Sequence, residues 1–185
     1  NPISAFEDSL LANAHEDIKP NKYTGIDSMI VYQNNELIAE HYYGRFSKDV
    51  KHRTHSTFKS ITALLTLIAI EQKLLNANEF VMPLISNTTS KDKQGKLQQN
   101  IKVAHLLNMT SGLDCNEAPG SSGPNHEFGV DEGKAPLSYS LNIKVNKKPG
   151  TVWQYCNANS FLLAATLSGA LKRANKGDVF EFADK

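Results

Sequence analysis

Ser56-Thr57-Phe58-Lys59, running into Ile61-Thr62-Ala63-Leu64-Leu65-Thr66-Leu67-Ile68-Ala69-Ile70, is the stretch on which the reading of this chain turns. The apolar run predicts a helix that opens at Ser56 and continues to about Lys73, with Glu71, Gln72 and Lys73 at its wetter end. Residues three apart share one face of a helix, so the Ser56 hydroxyl and the Lys59 amine should lie side by side on its first turn. A hydroxyl beside a primary amine is one way to build a nucleophile without a histidine. Four residues of this kind recur by chance. They gain weight from Tyr155-Cys156-Asn157 downstream.

Upstream of Ser56, Ile3, Phe6, Leu10, Leu11, Ala14 and Ile18 recur at helical spacing and Pro20 supplies a stop. Ser28 to Tyr32 and Leu37 to Tyr43 read as two strands around a Gln33-Asn34-Asn35-Glu36 turn, with Gly44 ending the second. A polar, basic stretch from Arg45 to His55 leads to the serine. Downstream, Glu79 to Ile85 is a brief apolar element and Ser86 to Gln99 a surface loop. Asn100 is expected to cap a helix over Ile101 to Met109 with Val103, Leu106 and Leu107 inward. Asp114 to Lys134 holds four glycines, two prolines and five acidic residues, too long for a plain connection and expected to be a functional loop. Pro149-Gly150 marks a turn, and Ser160 to Ala174 is the last expected helix.

Composition excludes more than it selects. A chain of 185 residues with 40% hydrophobic and 21% charged residues is ordinary for a globular domain. Its net charge of +1 offers no electrostatic footprint for nucleic acid. The one long apolar run is too short to span a bilayer. The chain begins with Asn1 rather than methionine, so a segment upstream is expected to have been removed. A cleaved secretory signal would explain that and place the protein in the periplasm or outside the cell; an edited chain would also explain it, and a cytoplasmic location stays open. Cys115 and Cys156 are too few for a disulfide framework. Two unpaired buried thiols are the favoured reading, with one bridge left open. His52 and His55 have no acidic or thiol partner at ligand spacing, so no metal site is expected, and no cofactor.

Three stretches resemble the serine β-lactamase and penicillin-binding-protein superfamily, nearest its class C β-lactamase-related branch of esterases, D-aminopeptidase-like enzymes and aminohexanoate-oligomer hydrolases. Ser56-Thr57-Phe58-Lys59-Ser60 is similar to its Ser-x-x-Lys. His105-Leu106-Leu107-Asn108-Met109-Thr110-Ser111-Gly112-Leu113 is similar to its His-Leu-Leu-x-x-Thr-Ser-Gly-Leu, and Pro149-Gly150-Thr151 with Tyr155-Cys156-Asn157 to its Pro-Gly-Thr…Tyr-x-Asn. The resemblance implies an α/β (α+β) fold, an antiparallel sheet flanked by helices plus an all-helical subdomain. Residues 1–75 would form the N-terminal part of the sheet domain and 76–185 the helical subdomain. It also implies further strands and a third motif (Lys or His, Ser or Thr, Gly) that does not follow Asn157 here. The C-terminal part of the sheet is therefore expected to be absent from this chain, supplied by a longer protein or a second polypeptide.

By the same resemblance Ser56, Lys59 and Tyr155 are the candidate catalytic residues, with Asn157 facing a small ester or amide substrate; Trp153 is a candidate substrate-lining residue, and core packing explains it equally well. A lysine serves as a base only where burial or a nearby cation favours its neutral form. A Tyr155 phenolate is the other candidate base, and the choice between them stays open. The Ser56 N–H, at a helix start, is a candidate oxyanion donor. The Asn116-Glu117 loop is a second candidate wall of the cleft. His105, within an apolar stripe, reads as structural. Ser111 lacks a Gly-x-Ser-x-Gly elbow and reads as a loop-shaping hydroxyl. A serine acyl hydrolase is the expected function, and a silent or sensor-like relative, or an inactive N-terminal fragment, is the alternative.

Overall fold

The computed structural model describes residues 5–18, 23, 25–85, 100–117 and 136–184, which form two units, Asn1–Arg53 and Thr54–Lys185. Ile3, Pro20 and the Ser86 to Gln99 loop lie outside the described residues, as does most of the Asp114 to Lys134 loop.

The first unit contains α1 (Ala5–Ile18) and an antiparallel hairpin, β1 (Ser28–Gln33) with β2 (Glu36–Tyr42). Asn34 and Asn35 both take positive φ, 52° and 66°. A two-residue turn with that geometry follows the right-handed twist of its strands, and asparagine tolerates it better than most residues. The register shifts at Val31/Tyr32, so Val31 faces Ala39 while Tyr32 faces Leu37. His15 ties α1 to the hairpin: its ring stacks on His41 at 3.9 Å and its Nδ1 lies 3.2 Å from the Tyr43 hydroxyl. His52 pairs with Asp27 at 2.5 Å.

The second unit is helical and is built around α6 (Asn157–Arg173). A 3₁₀ turn, His55–Phe58, feeds α2 (Lys59–Glu71); α3 (Met82–Ile85), α4 (Val103–Leu107), α5 (Pro136–Asn142) and α7 (Val179–Ala183) complete it. Leu162, Leu163, Leu167, Ala170 and Leu171 of α6 are buried with Ala69, Leu84, Ile85, Val103, Leu106 and Leu141. Each buried leucine contributes roughly 2 kcal/mol, so packing rather than local propensity anchors α6. Gly169 allows the closest approach: a Cβ there would sit 2.3 Å from the Leu84 carbonyl oxygen. Thr66 and Thr166 are fully buried and donate their hydroxyls to Thr62 and Leu162 carbonyls one turn back. α2 buries Thr66 and Ala69 but leaves Ile61, Leu64 and Leu67 exposed.

Four local expectations are corrected. Ser56 lies in the 3₁₀ turn, and the α-helix proper starts at Lys59 and ends at Glu71, two residues short of Lys73. Lys102, not Asn100, is the N-cap of α4: its backbone is extended and bridges to Phe80, and the preceding Ile101 carbonyl accepts the Val81 N–H at 3.0 Å. The last long helix begins at Asn157, three residues before Ser160. A further helix, α7, follows it: Asp178 accepts the N–H groups of Phe180 and Glu181 while Glu181 accepts that of Asp178, a reciprocal cap. Among the described residues the sheet has two strands.

Candidate active site

The 3₁₀ turn sets the first pair. It has three residues per turn, so residues i and i+3 eclipse more closely than on an α-helix. Lys59 Nζ donates to Ser56 Oγ at 2.7 Å. His55, immediately before the serine, has φ of +44°. A non-glycine residue in that region costs on the order of 1–3 kcal/mol, and such strain concentrates at functional sites.

The second contribution comes from 99 positions away. Tyr155 Oη donates to Ser56 Oγ at 2.8 Å and lies 3.4 Å from Asn157 Oδ1. The Lys59 ammonium sits 5.2 Å from the centre of the Tyr155 ring, within cation–π range. Ser56 and Tyr155 are exposed and Lys59 is half-buried, so the cluster opens to solvent. Trp153 is 67% exposed, which rules out core packing as what holds it among the described residues.

The segment carrying Tyr155 is fixed from behind by the Thr110-Ser111-Gly112-Leu113 stretch. Gly150 N–H donates to Thr110 O at 2.7 Å, Gln154 N–H to Met109 O at 2.9 Å, and Asn146 N–H to Gly112 O at 3.0 Å. Gly112 has φ of +77°, and a Cβ there would fall 2.2 Å from the Lys147 carbonyl oxygen. Ser111 is buried and its Oγ accepts from Leu113 N–H at 3.4 Å, a loop-shaping contact. His105 is structural as well. Its Nδ1 accepts the Lys102 N–H at 3.1 Å, and Gly150 lies against the Nε2 side of the ring. Burial, aided by the Lys102 charge, lowers its pKa below the ordinary histidine value and keeps the acceptor form.

Cys115 and Cys156 form a disulfide with Cα atoms 5.7 Å apart, which overturns the expectation of two free thiols. Both are buried, and neither cysteine's surroundings could be read from a spacing of 41 residues. The Glu117 carboxylate lies within 4.8 Å of both sulfurs, yet disulfide sulfur carries no thiolate charge to hold a metal. Glu117 Oε1 instead accepts the Asn157 N–H at 2.6 Å. Sequence reading placed Glu117 at the cleft wall and missed this contact, because nothing local signals a cap supplied from 40 positions upstream.

Comparison with solved structures finds the same fold. A protein from Bacillus anthracis provisionally named a 6-aminohexanoate-dimer hydrolase superposes with TM-score 0.66 at 15% identity, over 88% of this chain and 43% of its own. One from Bacteroides dorei provisionally named a β-lactamase gives 0.65 at 20% identity, over 96% of this chain and 48% of its own. This chain therefore spans less than half the length of either. No curated protein matches it closely enough to count as a relative. The match to the family described as Beta-lactamase runs over residues 24–175, taking in all three stretches, and the chain belongs to that family.

Proposed function

We propose that this chain carries the nucleophile of a serine acyl hydrolase acting on an ester or amide carbonyl. One observation carries the reading: Ser56 Oγ lies 2.7 Å from the Lys59 amine and 2.8 Å from the Tyr155 hydroxyl. In that arrangement both neighbours donate into the serine oxygen. Attack requires one of them to release a proton first, so that the serine O–H can point at a lone pair. Either a neutral Lys59 nitrogen or a Tyr155 phenolate beside a Lys59 ammonium meets that need.

The Ser56 proton then moves to this base while its oxygen bonds the carbonyl carbon. The tetrahedral oxyanion forms near the Ser56 N–H, an orphan donor by its place at a helix start. Collapse breaks the bond to the alcohol or amine, which leaves with the proton held by the base. Water attacks the resulting ester by the same exchange in reverse and frees the acid. Asn157 Oδ1 lies 3.4 Å from Tyr155 Oη, an alternative acceptor for its one proton, and exposed Trp153 offers an apolar face to the acyl or leaving group. Losing one oxyanion donor typically costs about 3 kcal/mol, so the rate of this chain alone depends on what supplies the second.

Among substrates, a general ester or amide fits better than a dedicated β-lactam role, since the His105 to Leu113 stretch resembles the wider hydrolase branch. The test is turnover of a short-chain p-nitrophenyl ester and of a chromogenic cephalosporin by the whole chain and by Ser56→Ala. Ester turnover lost in Ser56→Ala supports the reading. Cephalosporin turnover that outpaces ester turnover overturns the substrate preference. A persistent acyl mass on Ser56 without product release would identify a sensor-like protein instead.

A further inference from the structure

We propose that Glu117 is a positioning residue for Tyr155 and Asn157, acting with the Cys115–Cys156 bridge as a latch. This inference rests on the serine-hydrolase reading above and names what holds its two downstream residues in register. Asn157 is the first residue of α6, and the opening N–H groups of a helix have no partner within it. A side chain at the preceding position usually supplies one, but that position is Cys156, whose sulfur is committed to the bridge and makes no capping bond. The Glu117 carboxylate takes its place, accepting the Asn157 N–H at 2.6 Å. Its negative charge also stands at the positive end of a 17-residue helix.

The other contacts act on the same few residues. Cys156 lies between Tyr155 and Asn157, so the bridge holds the backbone at the centre of the pair to Cys115. Gln154 adds a contact from the other side, its side-chain Nε2 amide donating to the Cys115 carbonyl. Asp114, one residue earlier, accepts from Asn146 at 2.7 Å, and Leu113 pairs with Val145. Cys115 and Glu117 thus grip Gln154, Cys156 and Asn157 at three points: amide to carbonyl, sulfur to sulfur, carboxylate to N–H. Glu117 fixes the Asn157 backbone, which places Asn157 Oδ1 3.4 Å from Tyr155 Oη and Tyr155 where it donates its one proton to Ser56 Oγ. Glu117 touches no reacting atom; it acts through the placement of Tyr155.

The experiment compares wild type with Glu117→Gln, Glu117→Leu and Glu117→Ala. It reads the rate of Ser56 acylation by an activated p-nitrophenyl ester against concentration and pH, and amide hydrogen exchange at Asn157. Glu117→Leu and Glu117→Ala both remove the acceptor, and whichever folds is read. A misplacement of about 1 Å can cost about a hundredfold, so the maximal acylation rate should fall on the order of ten- to a hundredfold. The concentration dependence should stay nearly unchanged, and Asn157 exchange should speed up. Glu117→Gln keeps an oxygen acceptor and should recover much of the rate. A variant without the acceptor that acylates within twofold of wild type would overturn the proposal, as would Asn157 exchange that does not change. Failure of wild-type Ser56 to acylate would instead sink the hydrolase reading, and the exchange rates would then decide the latch by themselves.

Discussion

Tyr155 and Ser56, 99 positions apart, meet with 2.8 Å between their oxygens. Neither lies in the interior, so the contact is not a by-product of core packing. It exists because Gly150 and Gln154 are pinned to Thr110 and Met109, and Asn146 and Lys147 to Gly112, by backbone hydrogen bonds. The placement of a surface tyrosine is therefore decided by a buried turn.

Tyr155→Phe and Lys59→Ala should each slow acylation of Ser56 by roughly 10²–10⁴, the usual range for losing a positioned proton carrier. Exposed Tyr155 contributes little packing, so the melting temperature of Tyr155→Phe should stay near that of wild type. Stopped-flow release of p-nitrophenol, with calorimetry beside it, checks both. A large drop in melting temperature for Tyr155→Phe would show that the residue is structural.

Gly112→Ala should be severe. The new Cβ would sit 2.2 Å from the Lys147 carbonyl oxygen, on backbone at φ +77° that disfavours any side chain. Core strain of this kind costs about 1–3 kcal/mol or more. Because Gly112 O also accepts from Asn146 and Lys147, the segment leading to Tyr155 should shift. Urea titration checks the stability, and acylation rate should fall together with it.

Stability should decline on mild acidification because of His105. Its folded pKa lies below the ordinary 6.5, burial being the main cause and Lys102 the second. Well above pH 6.5 the ring is neutral in both states and the pH has no effect through this group. As pH falls below 6.5 the unfolded chain takes up a proton first, so stability is lost until pH passes below the folded value. Urea midpoints between pH 8 and pH 5 measure this, and His105→Gln should flatten the slope. A slope that survives in His105→Gln belongs to other groups.

Reducing the Cys115–Cys156 bridge releases a loop closed over 41 positions. Chain-entropy arguments put the loss at about 4 kcal/mol. Thermal melts with and without reductant should differ accordingly, and Cys115→Ser/Cys156→Ser should match the reduced protein and no longer respond to reductant. Equal melting temperatures in oxidised and reduced protein would contradict it.

Much of this was legible from residue patterns alone. Helix α1 and the hairpin with its Asn34-Asn35 turn follow from periodicity and turn chemistry, while the meeting of Ser56, Lys59 and Tyr155 follows from the resemblance of three ordered motifs to those of a known family. The boundary between 3₁₀ turn and α-helix at Lys59 did not, because His55 adopts a left-handed backbone that its identity does not announce. Helix α7 was readable: Asp178 and Glu181 stand at capping-box spacing. The cap on α4 was masked by His105, which takes the role usually given to a glutamate or glutamine. The bridge and the Glu117 contact depend on residues 41 and 40 positions apart, and separation in sequence carries no information on distance in space.

The central claim is that the oxygen of Ser56 is activated by Lys59 and Tyr155. Intact-mass spectrometry with peptide mapping, after treatment with a serine-directed fluorophosphonate, tests it most directly. A single adduct on Ser56, slowed in Tyr155→Phe and absent in Ser56→Ala, is the predicted result. An unmodified Ser56 in the folded protein, or an adduct equally fast without Tyr155 and Lys59, would contradict it.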